Sequence, residues 1–171
     1  MTAANWITIS RLAALPWLLY LLDDPTPERR WWCLLIFLVA ALTDWLDGYV
    51  ARRFDQVTEL GKFLDPLVDK LLVLTPLLSL VRLGAVPVVG VFLILARELA
   101  IAGWRVNQAT VAGANLWGKL KTVSQIIAVG LLLAPITSEV SLGAFWLAVS
   151  MTLISGGIYL GSGFTANKSA P

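Results

Sequence analysis

The chain has 171 residues, the length of one domain, of which 58% are hydrophobic and 14% charged, where soluble domains carry about a quarter charged; with a mean hydropathy of +0.78 it lacks the solvating side chains of a soluble enzyme. A net charge of only +2, with no basic stripe, excludes nucleic acid as a partner. The single cysteine, Cys33, excludes a disulfide framework, and the absence of histidine leaves carboxylate, lysine, tyrosine or a metal-bound oxygen as any neutral-pH base.

A bilayer core of about 30 Å takes roughly 20 mostly apolar helical residues. The N-terminus, MTAANWITISR, is polar before its apolar stretch and lacks the small-residue cleavage pattern of a signal peptide. Six candidate spans follow. They run from about Trp6 to Leu22 (with Pro16 as a kink), Trp31 to Val50, Pro66 to Val81, Val86 to Trp104, Leu120 to Ile136 and Leu142 to Leu160. The breaks are DDPTPERR, the polar stretch Arg52 to Lys62, RLGAVP, Asn107 to Gly118, and APITSEVS. Backbone in lipid must satisfy its own hydrogen bonds, so the expectation is an all-α membrane protein, one six-helix domain over residues 1–171. Cys33 falls inside an apolar run and reads as a packing residue.

Basic residues concentrate on the cytoplasmic side of membrane proteins. With the N-terminus inside, Arg11, Arg52, Arg53, Lys62, Lys70, Arg97, Arg105, Lys119, Lys121 and Lys168 fall toward the cytoplasm, and Arg29, Arg30 and Arg82 do not. That predicts an integral cell-membrane protein with a cytoplasmic N-terminus. Of the eight tryptophans, Trp6, Trp31, Trp32, Trp104 and Trp117 lie near span ends, as in interfacial belts.

The stretch from Asp44 to Asp69 reads DWLDGYVARRFDQVTELGKFLDPLVD. Asp44 and Asp47 share one helical face, and Gly48 and Ala51 continue it with almost no side chain. Gly61, Asp65 and Asp69 recur every four residues on the next helix. Plainer readings exist: Asp65 before Pro66 could be an N-cap, and Asp44 and Asp47 could pair with Arg52 and Arg53. Neither accounts for all four aspartates, each of which costs about 2.5–3.5 kcal/mol at the centre of a span. Arg52 and Lys70 supply only two compensating charges. Two hard divalent cations, Mg²⁺ or Mn²⁺, would balance four carboxylates and suit a site that also receives phosphate.

The pattern Asp44-x2-Asp47-Gly48-x2-Ala51-Arg52-x8-Gly61-x3-Asp65-x3-Asp69 resembles the signature of the CDP-alcohol phosphotransferases. Asn5-x2-Thr8-x2-Arg11 looks like that family's N-terminal segment. GKFLDPLVDK, Ala96-Arg97-Glu98 and Gly118-Lys119-x-Lys121-Thr122-x2-Gln125 resemble its bacterial-type phosphatidylglycerophosphate synthases. The resemblance implies an active site at the cytoplasmic end of the bundle. There CDP-diacylglycerol and glycerol 3-phosphate would give phosphatidylglycerophosphate and CMP. It also implies that Asp44, Asp47, Asp65 and Asp69 hold two metal ions, with Asp69 also accepting the proton of the attacking hydroxyl. Gly48, Ala51 and Gly61 would admit the nucleotide, and Arg52 would pair with its phosphates. Thr58, Asn5 and Thr8 are further nucleotide candidates, or else cap and turn residues.

The acceptor carries a phosphate of its own and needs a second positive site. Arg97 lies deep enough in the fourth span to require a reason: acceptor phosphate, or an ion pair with Glu98 or the aspartates. Arg105, Lys119 and Lys121 approach the same end. Lys119 and Lys121 are two apart on a helix, so they do not both face inward; Lys121 is preferred, and Arg105 reads equally as a headgroup contact. Expected partners are the two substrates and membrane lipids, with a homodimer allowed. The alternatives are another acceptor alcohol (inositol phosphate, serine or phosphatidylglycerol) or, from another class, a cation transporter. Gly48, Ala51 and Arg52 and the lack of repeat symmetry speak against transport.

Overall fold

The computed structural model describes the backbone of residues 3–54, 59–106, 116–136 and 138–168, and side chains at 9–43, 66–104, 116–136, 138–159 and 161. Six helices account for nearly all of the described residues, and these contain no strand: α1 (Ala3–Asp23), α2 (Pro27–Phe54), α3 (Glu59–Arg82), α4 (Val88–Val106), α5 (Leu116–Leu133) and α6 (Ser138–Lys168). Each expected apolar run lies largely within one helix. The ends differ. The polar stretch expected as a loop over Arg52–Lys62 is largely helix, because α2 continues through Arg53 and Phe54 and α3 begins at Glu59. No glycine or proline interrupts Ala51–Phe54, whose residues can continue the helix. The N-cap reading of Asp65 is corrected by the same boundary, since Asp65 and Pro66 both lie inside α3. α6 likewise continues past Leu160 to Lys168.

Contacts fix the sense of the helices. At one end, Arg82 near the C-terminus of α3 donates to the Leu22 and Asp23 carbonyls that finish α1. At that same end of α2, Arg30 donates to the carbonyls of Leu132, Leu133 and Ala134. These arginines satisfy carbonyls that a helix C-terminus leaves open. At the other end, α1 meets α3 through Arg11 and Asp69, and α4 meets α5 through Glu98 and Lys121. The chain therefore alternates up and down, and this second end also carries the C-terminal half of α2.

Between the two ends runs an apolar core that includes Leu18, Phe37, Leu77, Ile94, Leu133 and Phe145. Cys33 is fully buried in it. α4 and α6 approach closely at Gly90, where an added Cβ would stand 2.5 Å from Cε1 and Cζ of the buried Phe145 ring. Outward faces are apolar too, with Trp17, Leu38, Leu78, Phe92, Val123 and Leu147 exposed on six different helices. Two segments, Leu116–Leu133 and Ser138–Tyr159, meet a strict length and hydropathy test for crossing a membrane.

Candidate active site

The second end of the bundle gathers the described charged side chains of the helix interiors. Asp69, one turn past Pro66 in α3, accepts a hydrogen bond from Arg11 Nη1 at 2.8 Å. The Arg11 side chain is almost wholly buried, whereas that of Asp69 is 45% exposed. Desolvating a guanidinium requires a counter-charge, and Asp69 provides it across the α1–α3 contact.

A cavity of about 180 Å³ opens beside this pair. Asp69, Lys70, Glu98, Lys121, Thr122 and Gln125 supply its polar wall, and Val73, Leu74 and Ile94 its apolar floor. Glu98 organises the far side. Its Oε1 accepts from Lys121 Nζ and, at 3.1 Å, from Arg97 Nη1. The three side chains are 10–12% exposed, and two cations sharing one carboxylate leave a net positive charge in a poorly solvated place. α6 adds a second layer: Arg97 Nη2 donates to Ser155 Oγ at 3.1 Å, and Gln125 Nε2 donates to Thr152 Oγ1 at 2.9 Å.

Of the residues singled out from sequence, the structure brings Asp69 and Lys121 to one cavity. Arg97 is one step removed, on the α6 side of Glu98. Lys119 is exposed and does not line that cavity. Thr58 lies outside the described residues, as do the side chains of Asn5, Thr8, Asp44, Asp47, Gly48, Ala51, Arg52, Gly61, Asp65 and Arg105. Their backbones, Thr58 apart, are helical, with Asp44 and Asp47 on α2 and Asp65 and Asp69 on α3 at the spacings that put each pair on one helical face. Several described participants were not assigned a site role from sequence, among them Arg11, Glu98 and Ser155. Arg11 carried a signal, being part of the N-terminal motif. Glu98 carried one too, as a carboxylate in an apolar helix. Ser155 carried none.

The sequence model of the CDP-alcohol phosphatidyltransferase family matches residues 1–154. The chain belongs to this family. Among its relatives is a Bacillus subtilis protein named CDP-diacylglycerol–glycerol-3-phosphate 3-phosphatidyltransferase, 36% identical over 187 aligned positions that cover 97% of each chain. A Rickettsia bellii protein of the same name is 34% identical, with 91% of each chain covered. A Mycobacterium tuberculosis protein named as a probable phosphatidylglycerophosphate synthase is 35% identical, covering 92% of this chain and 79% of its own. Membership in the phosphatidyltransferase family decides against cation transport and narrows the question to the acceptor alcohol.

Proposed function

We propose that this chain transfers the phosphatidyl group of CDP-diacylglycerol to glycerol 3-phosphate, releasing CMP and forming phosphatidylglycerophosphate. The observation that carries the reading is the 36% identity, over 97% of both chains, to a relative named for that reaction. All six helices cross the bilayer as one domain over residues 1–171, with the site at the cytoplasmic end. Apolar side chains exposed on each of them support this; on a soluble protein so much exposed apolar surface would promote association.

The acceptor hydroxyl attacks the phosphorus that bears the diacylglycerol. A new P–O bond forms as the bond to the CMP oxygen breaks, and the hydroxyl proton passes to Asp69. Arg11 orients the Asp69 carboxylate for this, holding one of its oxygens at 2.8 Å. Arg52 pairs with the nucleotide phosphates, Gly48, Ala51 and Gly61 leave room for them, and Asn5, Thr8 and Thr58 flank the nucleotide. On the other side, Lys121 and Arg97 draw the acceptor's phosphate, with Lys119 and Arg105 contributing at longer range.

Asp44, Asp47, Asp65 and Asp69 would hold two divalent cations. The donor set is carboxylate oxygen throughout, and Asp69 remains half-open on the cavity wall, which fits hard Mg²⁺ or Mn²⁺. When bound, such ions supply charge neutralisation and polarisation of the pyrophosphate.

The test is CMP release by the purified protein in detergent, given CDP-diacylglycerol, Mg²⁺ and a panel of acceptors. Release is expected with glycerol 3-phosphate and its loss with excess chelator. Release only with inositol phosphate, serine or phosphatidylglycerol would assign a different acceptor. Full activity in chelator would remove the metals.

A further inference from the structure

The inner face of α6 changes character along its length. Ser141, Phe145, Ala148 and Val149 are buried toward its start, and Thr152, Ser155 and Gly156 continue the same face toward its end. The spacing from Thr152 to Ser155 and Gly156 is three and four residues, one helical face. Phe145 fills the apolar core. The later residues meet the polar layer, where Thr152 Oγ1 accepts from Gln125 and donates to the Ala148 carbonyl at 2.7 Å.

Arg97 lies directly on Ser155 and Gly156. Its Nη2 donates to Ser155 Oγ at 3.1 Å. A Cβ built on Gly156 would stand 3.0 Å from Arg97 Cγ and 3.2 Å from its Nε, closer than side chains normally tolerate. Nε is buried there with no acceptor among the described residues. The guanidinium is therefore placed by the contacts around it, Glu98 on one side and α6 on the other. Glu98 fixes one edge of the guanidinium, Ser155 a second, and the missing Gly156 side chain sets how near α6 it rests.

We propose that Ser155 and Gly156 are positioning residues for the acceptor-phosphate site, acting through Arg97. The inference rests on the reading of Arg97 as an acceptor-phosphate ligand. Ser155 and Gly156 touch no substrate themselves. They hold the guanidinium against Glu98, behind the cavity wall that Lys121 lines, and so set the positive charge available there to the acceptor's phosphate.

The experiment measures Michaelis constants for both substrates and kcat on the full-length protein in detergent, for Ser155→Ala, Gly156→Ala, Gly157→Ala, Arg97→Ala and the double variant Arg97→Ala/Gly156→Ala. Gly157 is the internal control, because its added Cβ would meet nothing within 4 Å while the helix-propensity change is identical. Misplacing a positioned group by about 1 Å can cost up to about a hundredfold, and the shift of a few tenths of an ångström forced here should raise the constant for glycerol 3-phosphate about three- to tenfold. That rise is expected for Ser155→Ala and Gly156→Ala, with CDP-diacylglycerol dependence unchanged, Gly157→Ala silent, and no further rise when Gly156→Ala is added to Arg97→Ala. If Arg97→Ala raises the constant but Ser155→Ala and Gly156→Ala do not, or if they raise both substrates' constants alike, the positioning role is overturned and the function reading stands. Should Gly156→Ala fail to fold, Ser155→Ala decides alone by the same criterion. If Arg97→Ala itself leaves glycerol 3-phosphate dependence unchanged, the acceptor-site reading falls and takes the inference with it.

Discussion

Glu98 holds two cations in a region with little water, and its replacement shows what that arrangement is worth. In Glu98→Gln, Arg97 and Lys121 lose the carboxylate both contact. Breaking a buried pair by removing one partner costs about 3–5 kcal/mol, so thermal unfolding in detergent should show a loss of about that size. Adding Lys121→Met should recover much of it by removing one stranded charge. The basic residues themselves separate by substrate. Arg97→Ala and Lys121→Ala should raise the Michaelis constant for glycerol 3-phosphate, and Arg52→Ala that for CDP-diacylglycerol. Losing a charged hydrogen-bond partner costs about 1.5–3 kcal/mol, roughly ten- to a hundredfold. Titrating each substrate at saturating levels of the other checks this, and a loss confined to kcat would mean interactions made only in the transition state. The aspartates were legible as candidates because fixed spacing on a helix is a local property. The links from Arg11 to Asp69 and from Arg97 to Ser155 each span 58 positions, and no periodicity reports which helices become neighbours.

Among the helices, the tight crossing of α4 and α6 is set by one residue. A methyl at Gly90 would collide with the ring of Phe145, which is fully buried and cannot swing outward. Overpacking of this kind costs about 1–3 kcal/mol. Gly90→Ala should therefore lower the unfolding midpoint in detergent, whereas Gly103→Ala on the same helix, where nothing lies within 4 Å, should be neutral or slightly stabilising. Equal effects at both positions would mean that helix propensity, not the α4–α6 contact, governs. The six helices were legible in the sequence because each core is an apolar run. Their ends were not, since Ala51–Phe54 and Glu59–Leu64 carry charge and read as loop on hydropathy while keeping good helix formers. The long α2 and α3 that result place Asp44, Asp47, Asp65 and Asp69 within helices.

For the whole molecule, the question is which end of the bundle faces the cytoplasm. The three basic residues at the end opposite the site are all engaged locally. Arg29 pairs with Asp24, Arg82 with Asp23, and Arg30 with the carbonyls that end α5. They act as helix caps and close ion pairs. Ten basic residues fall toward the site end and three toward the other, a bias from which a cytoplasmic site end is the expected outcome. In a Cys33→Ala background, which removes the one native thiol, Asp24→Cys offers a probe at a side chain 84% exposed. Gln56→Cys offers one between α2 and α3. A membrane-impermeant maleimide added to intact cells should label Asp24→Cys and leave Gln56→Cys unlabelled until the membrane is permeabilised. The reverse pattern would put the aspartates outside the cell, away from a cytoplasmic supply of glycerol 3-phosphate, and would overturn both the orientation and the placement of the site. Labelling of both positions in intact cells would instead break the alternation of α1 to α3, on which the gathering of Arg11, Asp69, Glu98 and Lys121 at one end depends.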